Sequence, residues 1–304
     1  MTGIATTAGG IAKDRPRGPR PRRVTASRVG VYGFLIIAAI YFLAPMWVMI
    51  VTSLKTMPEI REGFLFNWPR EVSFEAWTKA WSTACTGRDC EGVRPGFLNS
   101  VKITVPSVAI SVVIAAINGY ALSFWRFRGA QIFFAILIFG AFVPYQVVIY
   151  PLIIFLREIG LFASLPGIII IHTIFGMPIL TLLYRNYFAA LPEELFRAAR
   201  VDGAGFWSAF FRIILPMSVP ITIVAIILQV TGIWNDFLFG IVFAGRENMP
   251  MTVQLNNIVQ TTSGVREYNV NMAATILTAA VPLAVYFISG RWFVRGIAAG
   301  AVKG

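Results

Sequence analysis

Charged and reactive side chains are scarce in this chain of 304 residues. Only 13% of the residues are charged, and the chain contains one histidine and two cysteines. A single histidine excludes the zinc motif HExxH, and no lysine follows a glycine, which excludes the Gly-Lys dipeptide of a phosphate-binding P-loop. The sequence therefore predicts no catalytic residue, no metal site and no cofactor bound by this chain.

Charge is scarce because long apolar runs occupy most of the chain. Hydrophobic residues make up 57% of the sequence and the mean hydropathy is +0.72, more than the surface of a soluble domain tolerates. Several charge-poor runs reach the ~20 residues that a helix needs to cross the hydrocarbon core of a bilayer. The predicted fold class is an all-α membrane protein with six transmembrane helices, at about 29–54, 103–125, 129–156, 159–184, 213–240 and 268–290.

The distribution of positive charge predicts the orientation of these spans. Arginine is concentrated in the N-terminal tail, in loops 124–128 and 185–212 and near the C-terminus, whereas the charges of the other loops nearly cancel. Positively charged loops stay in the cytoplasm, so both termini are expected there. This topology explains the net charge of +12, and contact of the arginines with anionic membrane lipid is a further expected contribution. No nucleic-acid partner is expected.

The chain is expected to have two parts. Residues 1–28 include the run RPRGPRPRR and lack apolar residues to bury, which predicts a basic, disordered cytoplasmic tail. Residues 29–304 form the transmembrane domain.

Cys85 and Cys90 lie in the outer loop 55–97, where an oxidising compartment favours a disulfide between them over two free thiols.

Prolines and polar residues within the apolar runs indicate a central path. Pro144, Pro151 and Pro178 each remove a backbone donor and bend their helices, which lipid tolerates only beside neighbouring helices or a wet cavity. His172 is interpreted either as a neutral imidazole bonded to a neighbouring helix or as a path residue, and Asp236 as an interfacial hydrogen-bonding group rather than a proton carrier. The candidate substrate-path residues are Tyr145, Gln146, Tyr150, His172, Trp234 and Asn235.

A charged segment interrupts the apolar runs between the fourth and fifth predicted spans. In PEELFRAARVDG, Pro192 suits the first helical position, Glu193 and Arg197 form an i,i+4 pair, and Gly203 suits the end of a helix. The residues predicted to share one face of this helix are Leu195, Ala198, Ala199 and Asp202.

A second amphipathic run follows and ends at Pro216. The segment as a whole predicts either a lever that docks on a partner or an ordinary interfacial helix without one. The residues expected on the apolar face of this second run are Trp207, Phe210, Phe211 and Ile214, at i, i+3, i+4 and i+7.

The segment LPEELFRAARVDGAGFWSAFFRIILPMSVP resembles the EAA loop of ABC-importer permease subunits. The pattern of that family is Glu-Ala-Ala, then Asp-Gly-Ala and a later Leu-Pro. In this chain the two alanines are at 198–199, the Asp-Gly-Ala at 202–204 and the Leu-Pro at 215–216. Arg197 stands where the family has its leading glutamate, and Glu193 and Glu194, one turn earlier, are the candidates for the acidic contact.

The resemblance extends over nearly the whole chain after the tail. The stretch NSVKITVPSVAISVVIAAINGYALSFWRFRG, the stretch WNDFLFGIVF and the ending RWFVRGIAAGAVKG are similar to carbohydrate permeases of the maltose-importer type, in particular to the second, six-helix membrane component. The resemblance implies a protein of the bacterial cytoplasmic (inner) membrane that pairs with a homologous permease subunit. It also implies an extracytoplasmic sugar-binding protein and a separate cytoplasmic ABC ATPase dimer that carries the ATP and magnesium.

In that family the EAA helix docks in a cleft of the ATPase, so that closure of the ATPase dimer on ATP turns the membrane helices from inward-open to outward-open. The resemblance also implies that the C-terminal tail reaches the ATPase and that loop 244–270 reaches the sugar cleft of the binding protein. The residues to which it assigns coupling are Glu193, Glu194, Arg197, Ala198, Ala199, Asp202, Gly203, Ala204, Phe206, Lys303 and Gly304.

The predicted function is that of the permease subunit of an ATP-driven, binding-protein-dependent sugar importer, and not that of an enzyme. The loop ACTGRDCEGVRPGFLNS resembles that of α-glucoside permeases, which favours a di- or oligosaccharide. The same architecture serves other solutes, so a polyol or a sugar phosphate is the alternative. A secondary transporter is a further alternative, but the sequence shows neither a convincing repeat nor an acid in the middle of a span.

Overall fold

A computed structural model describes residues 26–87, 89–125, 127–260 and 266–301, and their side chains as far as residue 290. Every regular element in these residues is helical, which confirms the predicted all-α class. A π-helical turn, Phe210–Ile214, joins α9 to α10. The helices are α1 (Ala26–Ser53), α2 (Met57–Arg61), α3 (Glu75–Ser82), α4 (Arg94–Phe124), α5 (Ala130–Phe142), α6 (Tyr145–Glu158), α7 (Leu165–Ala189), α8 (Glu193–Val201), α9 (Phe206–Ala209), α10 (Leu215–Met217), α11 (Val219–Trp234), α12 (Leu238–Phe243), α13 (Met251–Gln260) and α14 (Tyr268–Ala301).

Four of the described helices are long and apolar enough to cross a membrane singly: α1, α4, α7 and the part of α14 up to Gly290. Two bent pairs, α5 with α6 and the run Phe206–Met217 with α11, pass the same test together. The described residues therefore supply four spans, or up to six if each bent pair counts as one span.

The predicted third span, 129–156, is not one straight helix. α5 and α6 form an angle of 104° across Val143 and Pro144. Proline has no N–H to donate and drives the preceding residue out of the helical region, and Val143 is extended, with φ −68° and ψ 123°. α6 and α7 continue through Pro151 and Pro178, so only the first of the three prolines lies at a break between helices.

The predicted fifth span, 213–240, is divided as well. The run Phe206–Met217 and α11 form an angle of 78° at Ser218. Ser218 is buried, and its Oγ donates to the Leu215 carbonyl at 2.7 Å, which satisfies the hydroxyl at the bend. α11 ends at Trp234, so the residues from Leu238 onward belong to the separate short helix α12.

The π-helical turn corrects the predicted apolar face of the second amphipathic run. Phe210 and Ile214 are buried, whereas Trp207 and Phe211 are exposed and stack on each other with ring centroids 5.9 Å apart. A π turn contains more residues than an α turn, so a pattern counted at the α-helical period loses its register there. The four residues predicted to share one face therefore lie on two faces.

The centre of the fold is the crossing of α4 and α7. The helices approach closely at Gly119, where a Cβ atom would lie 2.6 Å from the Tyr184 Cβ and 2.8 Å from the Arg185 amide nitrogen. One turn later, the Ser123 Oγ donates to the Arg185 carbonyl at 3.1 Å. The Tyr184 hydroxyl bonds to the Thr222 hydroxyl of α11 at 2.8 Å, so the same crossing also positions a third helix.

The chain divides into two compact units, 1–47 and 48–304. The described part of the first unit is the portion of α1 up to Trp47. Its large apolar side chains are exposed, among them Phe34, Tyr41 and Phe42. A continuous exposed apolar surface of this kind requires contact with lipid or with another apolar surface.

We expect Gly119→Ala to destabilise the fold by about 1–3 kcal/mol, because the added Cβ overpacks the crossing of α4 and α7. The matched control is Gly232→Ala in α11, where no atom lies within 4 Å of an added Cβ and alanine favours the helix by up to ~1 kcal/mol. The measurement is the thermal unfolding midpoint of each purified variant in the same detergent. Equal midpoints for the two variants would contradict the close approach of these helices.

Candidate functional site

The segment between α7 and α9 contains the short helix α8. Pro192 precedes this helix with φ −59° and ψ 122°, so Glu193, and not Pro192 as predicted, is its first residue. The two glutamates of the first turn lie at the positive end of the helix dipole, where acids are stabilising. Gly203 adopts φ +78° after the helix end, and the Ala204 N–H donates to the Ala199 carbonyl at 2.9 Å.

Glu193 and Arg197 form an ion pair on the exposed side of α8, with 2.9 Å between the Glu193 Oε2 and the Arg197 Nη2. The hydrogen bond that Arg197 donates to the Glu193 carboxylate, together with the negative charge of that carboxylate, raises the pKa of Arg197 above its ordinary value. Both side chains are more than half exposed, so water screens the pair and it adds little to stability. Its effect is on the charge that α8 presents to its surroundings.

One face of α8 is anchored in an aromatic cluster, formed by Tyr120, Phe124, Trp125, Phe196 and Phe206. Phe196 is 5% exposed, and its ring centroid lies 4.7 Å from that of Phe124. The Phe206 ring packs on Tyr120 at 4.7 Å and on Trp125 at 5.2 Å. The Tyr120 hydroxyl donates to the Phe206 carbonyl at 3.2 Å. These contacts attach α8 and α9 to the carboxyl end of α4.

The opposite face of α8 is exposed, and it includes two large apolar side chains, Val201 at 88% and Leu195 at 46% exposure. Ala199 does not lie on this face as predicted, because it is only 6% exposed. Phe196 sets the inward direction, and a residue three positions later shares it. The predicted coupling residues that are exposed are Glu193, Glu194, Arg197, Ala198, Asp202 and Gly203.

The predicted coupling residues include Phe206 but omit Phe196, Tyr120 and Trp125. The sequence carries a partial signal for Phe196, because Phe196 and Ala199 are apolar positions at i and i+3, but Leu195 and Ala198 have the same spacing. No comparable signal marks Tyr120 and Trp125. They lie at the end of a long apolar run in which every residue is a candidate for burial.

The structure does not bring the six predicted path residues into one site. Trp234 is buried in a separate cluster, where its Nε1 donates to the Thr278 carbonyl at 3.0 Å. Tyr145 and buried His172 both contact Phe239, with ring centroids 5.5 Å and 5.7 Å away. The members with exposed side chains are Tyr145, Gln146, Tyr150 and Asn235.

A polar pair that sequence reasoning did not join lies beside Phe239. The His172 Nε2 is 3.8 Å from the Asp236 Oδ2. The Asp236 carboxylate accepts hydrogen bonds from the amides of Phe239 at 3.2 Å and Gly240 at 2.9 Å, and so caps the start of α12. Asp236 is therefore a helix-capping acid that also approaches the single histidine.

Gln229 of α11 lies against the same part of α7. Its Nε2 donates to the His172 carbonyl at 3.2 Å. Gly176 makes room for this amide, because a Cβ atom there would lie 2.0 Å from the Gln229 Nε2. A buried polar contact thus joins α7 to α11 near the pair of His172 and Asp236.

A polar cleft of about 670 Å³ lies where α4 begins, between the loop that follows α3 and residues 246–257. A disulfide joins Cys85 to Cys90 within that loop. Asp89, between the two cysteines, pairs with Arg246 at 3.2 Å, and the Asn99 Nδ2 of α4 donates to the Glu247 carbonyl at 2.9 Å. The segment implied to reach a binding protein is therefore fastened at its start to the disulfide loop and to α4.

Several predicted positions lie outside the described residues. They are Lys303 and Gly304, the basic tail up to residue 25, and residues 261–265 of loop 244–270. Within the part of the chain that the structure describes, no three His, Cys, Asp or Glu side chains are grouped so that they could hold a metal ion.

Comparison with known proteins gives sequence relatives over most of the chain. Residues 107–299 match the profile of the family described as binding-protein-dependent transport system inner membrane component. The chain is 35% identical over 284 residues to a probable ABC transporter permease protein of Pyrococcus horikoshii, an alignment that covers 93% of this chain and 100% of the relative. It is 38% identical over 220 residues to the alpha-glucoside transport system permease protein AglG of Rhizobium meliloti, which covers 70% of this chain and 57% of the relative.

The fold also has a counterpart among solved structures. It is similar to a chain in the crystal structure of a bacterial ABC transporter involved in the import of the acidic polysaccharide alginate, with a TM-score of 0.73 and 22% sequence identity. The match covers 89% of this chain and 98% of that chain. The profile match includes α7, α8 and the part of α4 from residue 107 that contains the central crossing. The chain belongs to the family of binding-protein-dependent transport system inner membrane components, the permeases of ABC transporters.

Proposed function

We propose that this chain is one of two transmembrane subunits of an ATP-driven, binding-protein-dependent sugar importer. The observation that carries the proposal is the geometry of α8, which is fixed to α4 by the aromatic cluster on one face and is open on the other. A helix held in this way transmits a force applied to its open face. Membership in the ABC permease family supports an ATPase as the source of that force.

The proposed orientation has six crossings and both termini in the cytoplasm. It counts each bent pair as one crossing, with residues 1–28 as a basic cytoplasmic tail and residues 29–304 as the transmembrane domain. The excess of arginine in loops 124–128 and 185–212 supports it. α8 then lies on the cytoplasmic side of the bacterial inner membrane, and the disulfide loop lies outside.

The open face of α8 is the proposed contact with the ATPase. Leu195 and Val201 offer apolar side chains that gain from burial against a partner, and Ala198 and Gly203 leave room for a close approach. The charges of Glu193, Glu194 and Arg197 border this surface. ATP and magnesium belong to the partner ATPase dimer, and this chain binds no cofactor of its own.

Movement of α8 passes through the aromatic cluster to α4. Phe196 and Tyr120 are almost completely buried, and close-packed interiors do not deform continuously, so α8 and the end of α4 move together. α4 is in turn packed on α7 at Gly119, and α7 is bonded to α11 through Tyr184. Closure of the ATPase dimer would therefore shift three membrane helices at once.

On the outer side, the cleft between the disulfide loop and residues 246–257 is the proposed contact with an extracytoplasmic sugar-binding protein. Its carboxylates and amides suit polar contacts. The translocation path would run between this chain and a homologous permease subunit. Tyr145, which is exposed, is its proposed lining here. The Tyr145 ring packs on Phe239, which also contacts the buried His172, so two predicted path residues meet at one aromatic ring.

The proposed substrate is a di- or oligosaccharide such as an α-glucoside. The relative AglG is named for alpha-glucoside transport, and the structural counterpart belongs to an importer of alginate, a polysaccharide. A polyol or a sugar phosphate is the alternative within the same architecture. A secondary transporter is less well supported. It binds no ATPase, so it would not need a helix that is anchored on one face and exposed on the other, as α8 is.

The experiment that tests the proposal is purification of the tagged chain from its native membranes in mild detergent, followed by mass spectrometry of the proteins that accompany it. We expect a homologous permease and an ABC ATPase in stoichiometric amounts, and the sugar retained by a co-purified binding protein would name the substrate. A chain that remains alone, even with a crosslinker placed at residue 204, would overturn the proposal.

We expect Phe196→Ala to uncouple the transporter while the ATPase still binds. The substitution removes the ring that joins α8 to the aromatic cluster, at a packing cost of about 3–5 kcal/mol. ATP hydrolysis in proteoliposomes should then lose its dependence on binding protein and sugar, and uptake should fall at least about tenfold. Phe211→Ala is the control, because Phe211 is 56% exposed and lies outside the cluster. Wild-type uptake by Phe196→Ala would contradict the proposed route.

We expect Val201→Glu to prevent ATPase binding without unfolding the chain. Val201 is 88% exposed, so the folded subunit tolerates the glutamate, but an apolar contact with the ATPase would bury its charge. The control is Val72→Glu, the same substitution at a site 49% exposed in the outer loop. The measurement is the amount of ATPase retained on each purified variant. Equal retention would exclude this face of α8 as the contact.

A further inference from the structure

An open cavity of about 470 Å³ lies where α4 ends and α5 begins. Its walls are largely apolar, with Leu122 from α4, Phe127 from the connecting loop and Ile132 from α5. Arg185 of α7 contributes the positive charge. The described residues that line the cavity include no acid.

Arg185 is held in place by an aromatic ring and by a backbone hydrogen bond. Its guanidinium carbon lies 4.0 Å from the centroid of the Phe134 ring of α5, a cation–π contact that holds the charge beside α5. Its backbone carbonyl is bonded to Ser123. Among the described residues, no carboxylate oxygen lies within 4.0 Å of an Arg185 nitrogen, the limit for an ion pair. The charge of Arg185 is therefore available to an anion.

An apolar stripe continues from the cavity along α5. Ile132, Ile136 and Phe139 follow one another at helical spacing, and they are 67%, 66% and 73% exposed. A cationic pocket that opens onto an exposed apolar stripe matches a molecule with an anionic head and a hydrocarbon chain. In the proposed orientation the cavity lies at the cytoplasmic boundary of the membrane, where anionic lipids concentrate.

We propose that this cavity binds the phosphate-bearing headgroup of an anionic phospholipid, with the Arg185 guanidinium on the phosphate and an acyl chain along α5. A planar guanidinium suits the phosphate oxygens, since it donates two parallel hydrogen bonds to them. The proposal rests on the orientation given above, but not on the identity of the sugar or on ATP coupling. Trp125 belongs both to this cavity and to the aromatic cluster, so the bound lipid would lie directly beside the anchor of α8.

The test is native mass spectrometry of the full chain, purified with the subunits that accompany it and exchanged into nanodiscs of phosphatidylcholine with or without phosphatidylglycerol. We expect Arg185→Gln to retain one phosphatidylglycerol fewer than the wild type and to bind it at least about tenfold more weakly. The matched control is Arg157→Gln, whose guanidinium lies over the Phe162 ring at 4.7 Å but outside this cavity. This control should retain the wild-type number.

A second pair of variants leaves Arg185 in place. Ile132→Glu introduces a negative charge at the cavity wall and should expel the lipid, whereas the uncharged Ile132→Gln should retain it. This pair decides the question if Arg185→Gln fails to fold. Retention of phosphatidylglycerol by Ile132→Glu, or equal retention by Arg185→Gln and the wild type, would overturn the proposal.

Inorganic phosphate separates a lipid site from a site for the free anion. Phosphate at millimolar concentration should not displace the retained phosphatidylglycerol, because it lacks the chain that lies on α5. Complete displacement by phosphate would overturn the lipid assignment. Because lipid retention is counted on the purified protein without sugar or ATP, its result is independent of whether the importer proposal holds.

Discussion

The close packing of α4 on α7 at Gly119 is the contact on which the rest of the structure depends. The carboxyl end of α4 carries the aromatic residues that hold α8, and α7 bonds to α11 from the same crossing through Tyr184. In hydrocarbon, apolar helices gain little from burial against one another, so small residues and a few interhelical hydrogen bonds decide which helices meet. Gly119 and Ser123 supply both within one turn.

The charge-poor runs predicted the all-α class and the approximate positions of the unbroken apolar helices, because length and hydropathy are what the bilayer selects. The runs by themselves did not predict the bend of 78° at Ser218, whereas the bend of 104° lies where Pro144 was predicted to bend its helix. A run of apolar residues indicates that a segment lies in lipid, but it does not indicate whether the helix axis is straight or bent. Pro144 was a visible signal, whereas Pro151 and Pro178 lie within continuous helices, so a proline alone does not locate a break.

For the coupling segment, the sequence predicted the local features of α8 better than it predicted which face of the helix is buried. The pair of Glu193 and Arg197 and the turn at Gly203 follow from local rules of charge spacing and helix capping, and the start of α8 differs from the prediction by one residue. Which face is inward depends on what lies opposite, and there the aromatic residues of α4 select Phe196 and Ala199. The register of the second run was likewise lost at a π-helical turn, for which the sequence pattern carries no rule.

The contact of Gly176 with Gln229 constrains how these positions vary during evolution. An added Cβ at residue 176 would lie 2.0 Å from the Gln229 Nε2, and that nitrogen is the donor to the His172 carbonyl. The two positions should therefore covary, with a larger residue at 176 accompanied by a shorter one at 229. The two orders of change also differ. A lineage that enlarges residue 176 first displaces the Gln229 amide and breaks its hydrogen bond to the His172 carbonyl, whereas one that shortens residue 229 first loses that bond but leaves space for the larger residue.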